Sequence, residues 1–198
     1  MEIALQIMEV QAFRELQFTN TPQIIWIRWL FDYPDPSGAL SLRAALASYL
    51  NRARATVAHA DQIIVCGGVS QGFDLICRVL RDRDARSVAV EDPAPSIQSA
   101  RIQAAGLVAQ RVPVDAEGIV VDRLNRIDAN AVLVTPAHQF PYGVVLSPQR
   151  RAALLDWAAR REALIIEDDY DAEYRYDREP IGAMQGLAPD RVLYMGTA

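Results

Sequence analysis

Ile63-Ile64-Val65-Cys66-Gly67-Gly68-Val69-Ser70-Gln71-Gly72-Phe73-Asp74-Leu75-Ile76-Cys77-Arg78-Val79-Leu80 reads as a strand, a glycine turn and a helix in immediate succession. Four consecutive apolar residues suit a strand buried on both faces, and Phe73, Leu75, Ile76 and Val79 then recur at near-helical spacing. The same alternation continues outward. Short apolar strands are expected at 87–90, 107–112, 131–134, 164–166 and 192–195. Helices are expected between them at 97–105, 121–126 and 148–161, the last capped by Ser147. Upstream, the turn residues Tyr33-Pro34-Asp35-Pro36-Ser37-Gly38 lead to a helix with Ser41 as N-cap and an apolar stripe of Leu42, Leu46, Tyr49 and Leu50. Strands of this kind separated by helices predict an α/β fold, a mostly parallel sheet covered by helices on both faces. In such sheets ligands bind beyond the carboxyl ends of the strands. Four polar clusters lie at predicted strand ends, after Cys66, Val90, Val134 and Ile166, which points to a small-molecule site.

Composition narrows the class. The chain has 198 residues, 51% hydrophobic and 23% charged, enough for one sizeable core. The net charge of −5 and the lack of a basic run leave no electrostatic footprint for nucleic acid. No apolar run approaches the roughly 18 residues of a membrane span. No secretory leader is recognisable, and Cys66 and Cys77 lie in apolar surroundings, so a cytoplasmic protein with two buried thiols is expected. All 20 positive side chains are arginine; there is no lysine. No side chain can therefore form a Schiff base with an aldehyde, and no residue is assigned a catalytic role.

Three clusters carry chemistry. Gly67-Gly68-Val69-Ser70-Gln71 joins strand to helix, where free N–H groups and a partial positive charge suit a phosphate; an ordinary tight turn reads the same way. Glu167-Asp168-Asp169-Tyr170-Asp171 is open to three readings: a solvated acidic loop, a site for a hard cation, or a carboxylate facing a protonated ring nitrogen beside a phenol. Thr135-Pro136-Ala137-His138-Gln139-Phe140-Pro141-Tyr142-Gly143 places one of only two histidines between prolines at a strand end. His59 lies in a polar segment and is given no role.

Taken together, these stretches resemble the aminotransferase-like domain of MocR-type regulators in the GntR superfamily, which join a winged-helix DNA reader to a fold-type I, pyridoxal-phosphate (PLP) aminotransferase domain. Matching segments run from Tyr33-Pro34-Asp35-Pro36-Ser37-Gly38 through Glu91-Asp92-Pro93, Thr135 to Pro141 and Glu167 to Tyr176, to Tyr194-Met195-Gly196-Thr197-Ala198. The resemblance implies a partial large domain over 31–198, preceded by a poorly matched arm at 1–30. It implies that Gly68, Val69 and Ser70 cradle the cofactor phosphate, that Asp168 pairs with the pyridine nitrogen, and that Tyr170 hydrogen-bonds the ring's phenolic oxygen. His138 and Gln139 would lie near the ring. It further implies that the Schiff-base lysine falls just past Ala198, leaving PLP held without a covalent bond in this chain. An amino-acid-like effector, a homodimer in the full-length form and DNA contact through a separate domain follow by the same route. One departure stands out: Pro95 occupies the place of an aromatic that stacks on the ring. Four functions are compatible with these readings: a PLP-binding effector domain, a working aminotransferase (which the absence of lysine disfavours), a nucleotide or metal binder on the same kind of sheet, and an inactive remnant.

Overall fold

A computed structural model describes residues 6–9, 35–171 and 181–197. The rest of the poorly matched arm at 1–30, the Tyr33-Pro34 start of the turn, Ala172 to Tyr176 and Ala198 lie outside the described residues. Eight strands form one sheet: β1 (Gln6–Glu9), β2 (Ile63–Cys66), β3 (Ser87–Asp92), β4 (Val108–Asp115), β5 (Gly118–Ile119), β6 (Ala131–Val134), β7 (Leu164–Asp169) and β8 (Val192–Thr197), in the order β2-β1-β8-β7-β6-β3-β4-β5. Every pairing is parallel except the β4–β5 hairpin at one edge. The helices are α1 (Leu40–Ala53), α2 (Val69–Asp82), α3 (Ser96–Ala104), the single turn α4 (Val121–Leu124) and α5 (Pro148–Arg161).

The two faces are covered by different helices, as alternating side-chain direction along each strand requires. Phe73, Ile76, Cys77 and Leu80 of α2 and Ile102 of α3 pack on Val88, Val90, Leu133, Ile166 and Leu193. On the other face, Leu154, Trp157 and Ala158 of α5 pack on Ala89, Val132, Val134, Ile165 and Val192. A smaller cluster seats Leu46, Ala47 and Leu50 of α1 against Ile63 and Tyr194. Both cysteines are buried free thiols, and burial pushes the Cys77 thiol up to about 12, so it stays protonated.

The helix α5 matches its sequence signature. The Ser147 hydroxyl accepts from the Arg150 N–H at 3.2 Å, Pro148 opens the first turn, and Glu162 ends the helix at φ 52°. Ser41 is not the cap of α1. The helix begins one residue earlier at Leu40, with Ala39 preceding it and no side-chain cap, while Arg43 ties that end down through Gly38 O, Ala60 O and Asp35. Within the poorly matched arm, Gln6–Glu9 is a strand, paired with both β2 and β8. Four residues are too few to separate a period of 2 from one of 3.6.

The hairpin at the sheet edge depends on Gly118. Its φ is +99°, and a Cβ there would lie 2.5 Å from Leu146 Cδ1 and 3.1 Å from the Leu146 Cα. A side chain at this position meets both a disfavoured backbone region and a packed neighbour. Gly118→Ala is expected to destabilise the fold by about 1–3 kcal/mol, read as a lower midpoint in urea unfolding with unchanged slope.

Candidate functional site

Parallel register brings the carboxyl ends of β3, β6 and β7 to one level, with Val90 opposite Leu133 and Val134 opposite Glu167. Two cavities open there. One, of about 270 Å³, is bordered by Glu91, Pro95, Thr135, Phe140, Asp168 and Tyr170. The other, of about 180 Å³, is bordered by Val69, Ser70, Pro95, Arg101, Asp168 and Met195. Asp168 and Pro95 line both, so the strand end at Asp168 and the helix start at Ser70 face one continuous region of the carboxyl edge.

Alternation along β7 sorts its carboxylates. Glu167 and Asp169 point to one face and Asp168 to the other. Glu167 is fully buried and accepts from the Met184 and Gln185 N–H groups at 3.0 and 3.1 Å. Asp169 is buried against Arg54, whose Nε donates to Oδ2 at 2.8 Å, and the Tyr194 hydroxyl donates to the same oxygen at 2.7 Å. Asp168 is half-buried, and its side chain has no hydrogen-bond or ion-pair partner among the described residues. Burial, reinforced by the negative charges of Asp169, Glu91 and Asp171, pushes its carboxyl up to about 7. Burial likewise pushes Glu91 up to about 7 against the N–H and hydroxyl that Thr135 donates to it. It does the same to Glu167 against the Met184 N–H.

These three shifts fix the sign of a pH effect. A carboxyl whose folded pKa lies above its unfolded value binds its proton more tightly in the fold. The resulting stabilisation is complete below about pH 4 and is lost as pH rises through about 7. The thermal midpoint of the ligand-free chain is expected to fall between pH 5.5 and 8 as these acids ionise; circular dichroism melts across that window check it, and a rising midpoint contradicts it.

At the helix start, Gly68 precedes α2 with φ +117°, a conformation that favours glycine, and the first N–H groups of the helix have no intrahelical acceptor. Val69 and Ser70 border the smaller cavity. Arg101 of α3 reaches the same wall, its Nη1 2.6 Å from Asp74 Oδ2 and 3.4 Å from Ser70 O.

The loop after β6 is held by contacts within the protein. Gln139 is buried, and its amide is engaged by the protein: Nε2 donates to Pro93 O at 2.8 Å and Phe140 O at 2.6 Å, Oε1 accepts from the Tyr142 N–H, and the side chain also reaches the Glu91 carboxyl. It lines neither cavity and instead staples the loops after β3 and β6 together. His138 also stands back from both cavities; its Nδ1 contacts Asp171 Oδ2, and its ring stacks on Tyr170 at a centroid distance of 6.1 Å. Tyr170 borders the larger cavity, and its hydroxyl donates to His138 O at 3.0 Å. Sequence reasoning singled out Asp168, Tyr170, Val69 and Ser70 but gave no role to Glu91, Thr135 or Gln98, which also line the cavities. Glu91 stood out in the sequence as the polar end of an apolar strand and as part of the Glu91-Asp92-Pro93 segment, neither of which shows that it borders a cavity.

The donor set fits a phosphorylated pyridine. A half-buried carboxyl with no partner among the described residues matches a cationic ring nitrogen, a glycine-capped helix start matches a phosphate, and Pro95 offers a flat apolar wall between them. Among the described residues, no group of three or more His, Cys, Asp or Glu is arranged to hold a metal ion. No described helix is long and apolar enough to cross a membrane.

A doubly covered parallel sheet with this carboxyl-edge site defines an aminotransferase-like α/β protein. The chain matches the aminotransferase class I and II family over residues 20–196 and belongs to it. It is 43% identical over 162 residues to the HTH-type pyridoxine biosynthesis transcriptional regulator PdxR of Corynebacterium glutamicum, covering 81% of this chain and 35% of that protein. It is 34% identical to the probable rhizopine catabolism regulatory protein MocR of Rhizobium meliloti, over 85% of this chain and 34% of the relative. Among solved structures it resembles the Pyrococcus horikoshii kynurenine aminotransferase, with a TM-score of 0.75 and 26% identity over 87% of this chain and 45% of that one. The chain thus spans about a third of the length of the curated regulators it matches.

Proposed function

We propose that this chain is the PLP-holding part of the aminotransferase-like domain of a MocR-type transcriptional regulator. The observation that carries this reading is the position of Asp168, a carboxyl without a partner among the described residues that borders both carboxyl-edge cavities. Asp168 would hold the proton of the pyridine nitrogen. The Val69 and Ser70 N–H groups and the Ser70 hydroxyl would bind the phosphate, with Gly68 allowing the turn. Tyr170 would orient the phenolic oxygen by turning its hydroxyl proton from the His138 carbonyl to the ring, and Pro95 would cover a ring face. His138 and Gln139 support this arrangement from behind, His138 through Tyr170 and Asp171 and Gln139 through the two loop backbones. When bound, PLP supplies an electron-withdrawing ring to which an amino compound can attach.

The chain's own residues bind and orient; with no lysine among its 198 residues, it offers no amine to anchor an aldehyde covalently. In the whole regulator an amino-acid-like effector would enter beside the ring, two copies would associate, and a separate winged-helix domain would contact DNA in the cytoplasm. Titration with PLP tests the cofactor reading directly. A saturable change in the absorbance of PLP is expected, and no change at millimolar PLP overturns it.

A further inference from the structure

The cavity beside Asp168 holds a second carboxyl that the proposed cofactor contacts leave unused. Glu91 closes β3, is only 6% exposed, and borders the same 270 Å³ cavity as Asp168. Its Oε2 is clamped from the end of β6, by the Thr135 N–H at 3.2 Å and the Thr135 hydroxyl at 2.7 Å. A surface glutamate gains little from such a clamp. A buried one held at a ligand cavity is fixed relative to the neighbouring acid.

We propose that Glu91 is a positioning residue of the site: clamped by Thr135 and sharing the cavity with Asp168, it governs whether Asp168 presents an anion to the ring nitrogen of a cationic ligand. This rests on the cofactor reading above for the identity of that ligand, but not for the coupling of the two acids. Two carboxyls bordering one cavity do not ionise independently; the first charge raises the cost of the second. Among the described residues, the other charged groups do not relieve the pair. Asp169 on the same strand and Asp171 just beyond it add negative charge, and Arg54 is turned to Asp169. Arg101, the cation on the wall of the smaller cavity, is engaged by Asp74. His138 faces Asp171, and Tyr170 donates to His138 O. The Thr135 N–H and hydroxyl and the Gln139 side chain hydrogen-bond the ionised form of Glu91 and so oppose the burial that favours its protonated form. A cationic ring nitrogen entering the cavity would stabilise both carboxylates and draw the shared proton out.

Carboxyl carbon NMR of the ligand-free chain between pH 4 and 9 tests the coupling without any cofactor. Asp168 and Glu91 are expected to titrate in two linked steps, and in Glu91→Gln the Asp168 midpoint is expected to drop by about one pH unit. Glutamine can still accept from Thr135, so the fold is retained. The acid limb of PLP affinity should move with that midpoint: at pH 6 the variant binds PLP several-fold more tightly than the wild type, and at pH 8 no more tightly. Independent single-step titrations in the wild type, or an Asp168 midpoint unmoved in Glu91→Gln, overturn the proposal. A uniform loss of PLP affinity at all pH values in Glu91→Gln, as a merely structural role predicts, also overturns it. Coupled titration with no PLP response at any pH overturns the cofactor reading instead, so the two failures are distinguishable.

Discussion

Asp168→Asn is expected to weaken PLP binding roughly 10- to 100-fold near neutral pH, about 1.4–2.8 kcal/mol, while leaving the ligand-free fold as stable or more stable. The two effects have opposite signs for one physical reason. Asp168 has no partner of its own among the described residues and is surrounded by Glu91, Asp169 and Asp171, so its charge is a liability until a cation arrives. Asparagine has the same shape and carries no charge. It relieves the repulsion but offers the ring nitrogen a neutral acceptor, which gives about half the strength of a charge-assisted hydrogen bond. The relief grows as pH rises through about 7, where the wild-type carboxyl ionises, so the stability gain should be larger at pH 8 than at pH 6. Absorbance titration gives the affinity and urea unfolding the stability. Loss of both together would mean that Asp168 supports the fold rather than a ligand; loss of neither would remove it from the site. A residue kept at the expense of stability is the expected signature of a binding group.

Much of this was legible in the sequence because each strand and helix announces itself locally. Four apolar residues followed by Gly67-Gly68, or Ser147-Pro148 ahead of an apolar stripe, need no distant information to be read. Asp168 stood out for the same reason, in a dense acidic run at a strand end, and strand alternation separates it from its neighbours Glu167 and Asp169. What escaped depends on long-range contact. The strand Gln6–Glu9 is recognisable only by its neighbours β2 and β8, and the β4–β5 hairpin extends through residues whose exposure resembles a loop. Gln139 carries a side chain suited to a ligand, and only the positions of Pro93 O and Phe140 O show that its amide is already spent. Nothing in the sequence links Glu91 to Thr135, 44 residues away, or Arg54 to Asp169, 115 residues away.

That last pair carries the largest expected effect on stability. Arg54 follows the last turn of α1, is buried with Asp169, and donates from Nε and Nη2 to one oxygen, Oδ2, which also accepts from Tyr194. Oδ1 of Asp169 is buried with no hydrogen-bond partner among the described residues, so the guanidinium is the main compensation for this charge. Arg54→Ala leaves a carboxylate in the interior with a single hydroxyl donor, and such removal of one partner costs about 3–5 kcal/mol, a large share of the 5–15 kcal/mol typical of a whole domain. Urea unfolding should show the loss as a lower midpoint. The double variant Arg54→Met with Asp169→Leu should recover most of it, because removing both charges also removes both desolvation penalties. Double-variant stability that merely adds the two single losses would show that the pair does not act as a unit. Because Asp169 follows Asp168 on β7, Arg54 also anchors the strand end that presents the ring partner. The single variant is therefore expected to weaken PLP binding as well, and the double variant to restore it, which ties the fold's buried charge pair to the geometry of the site beside it.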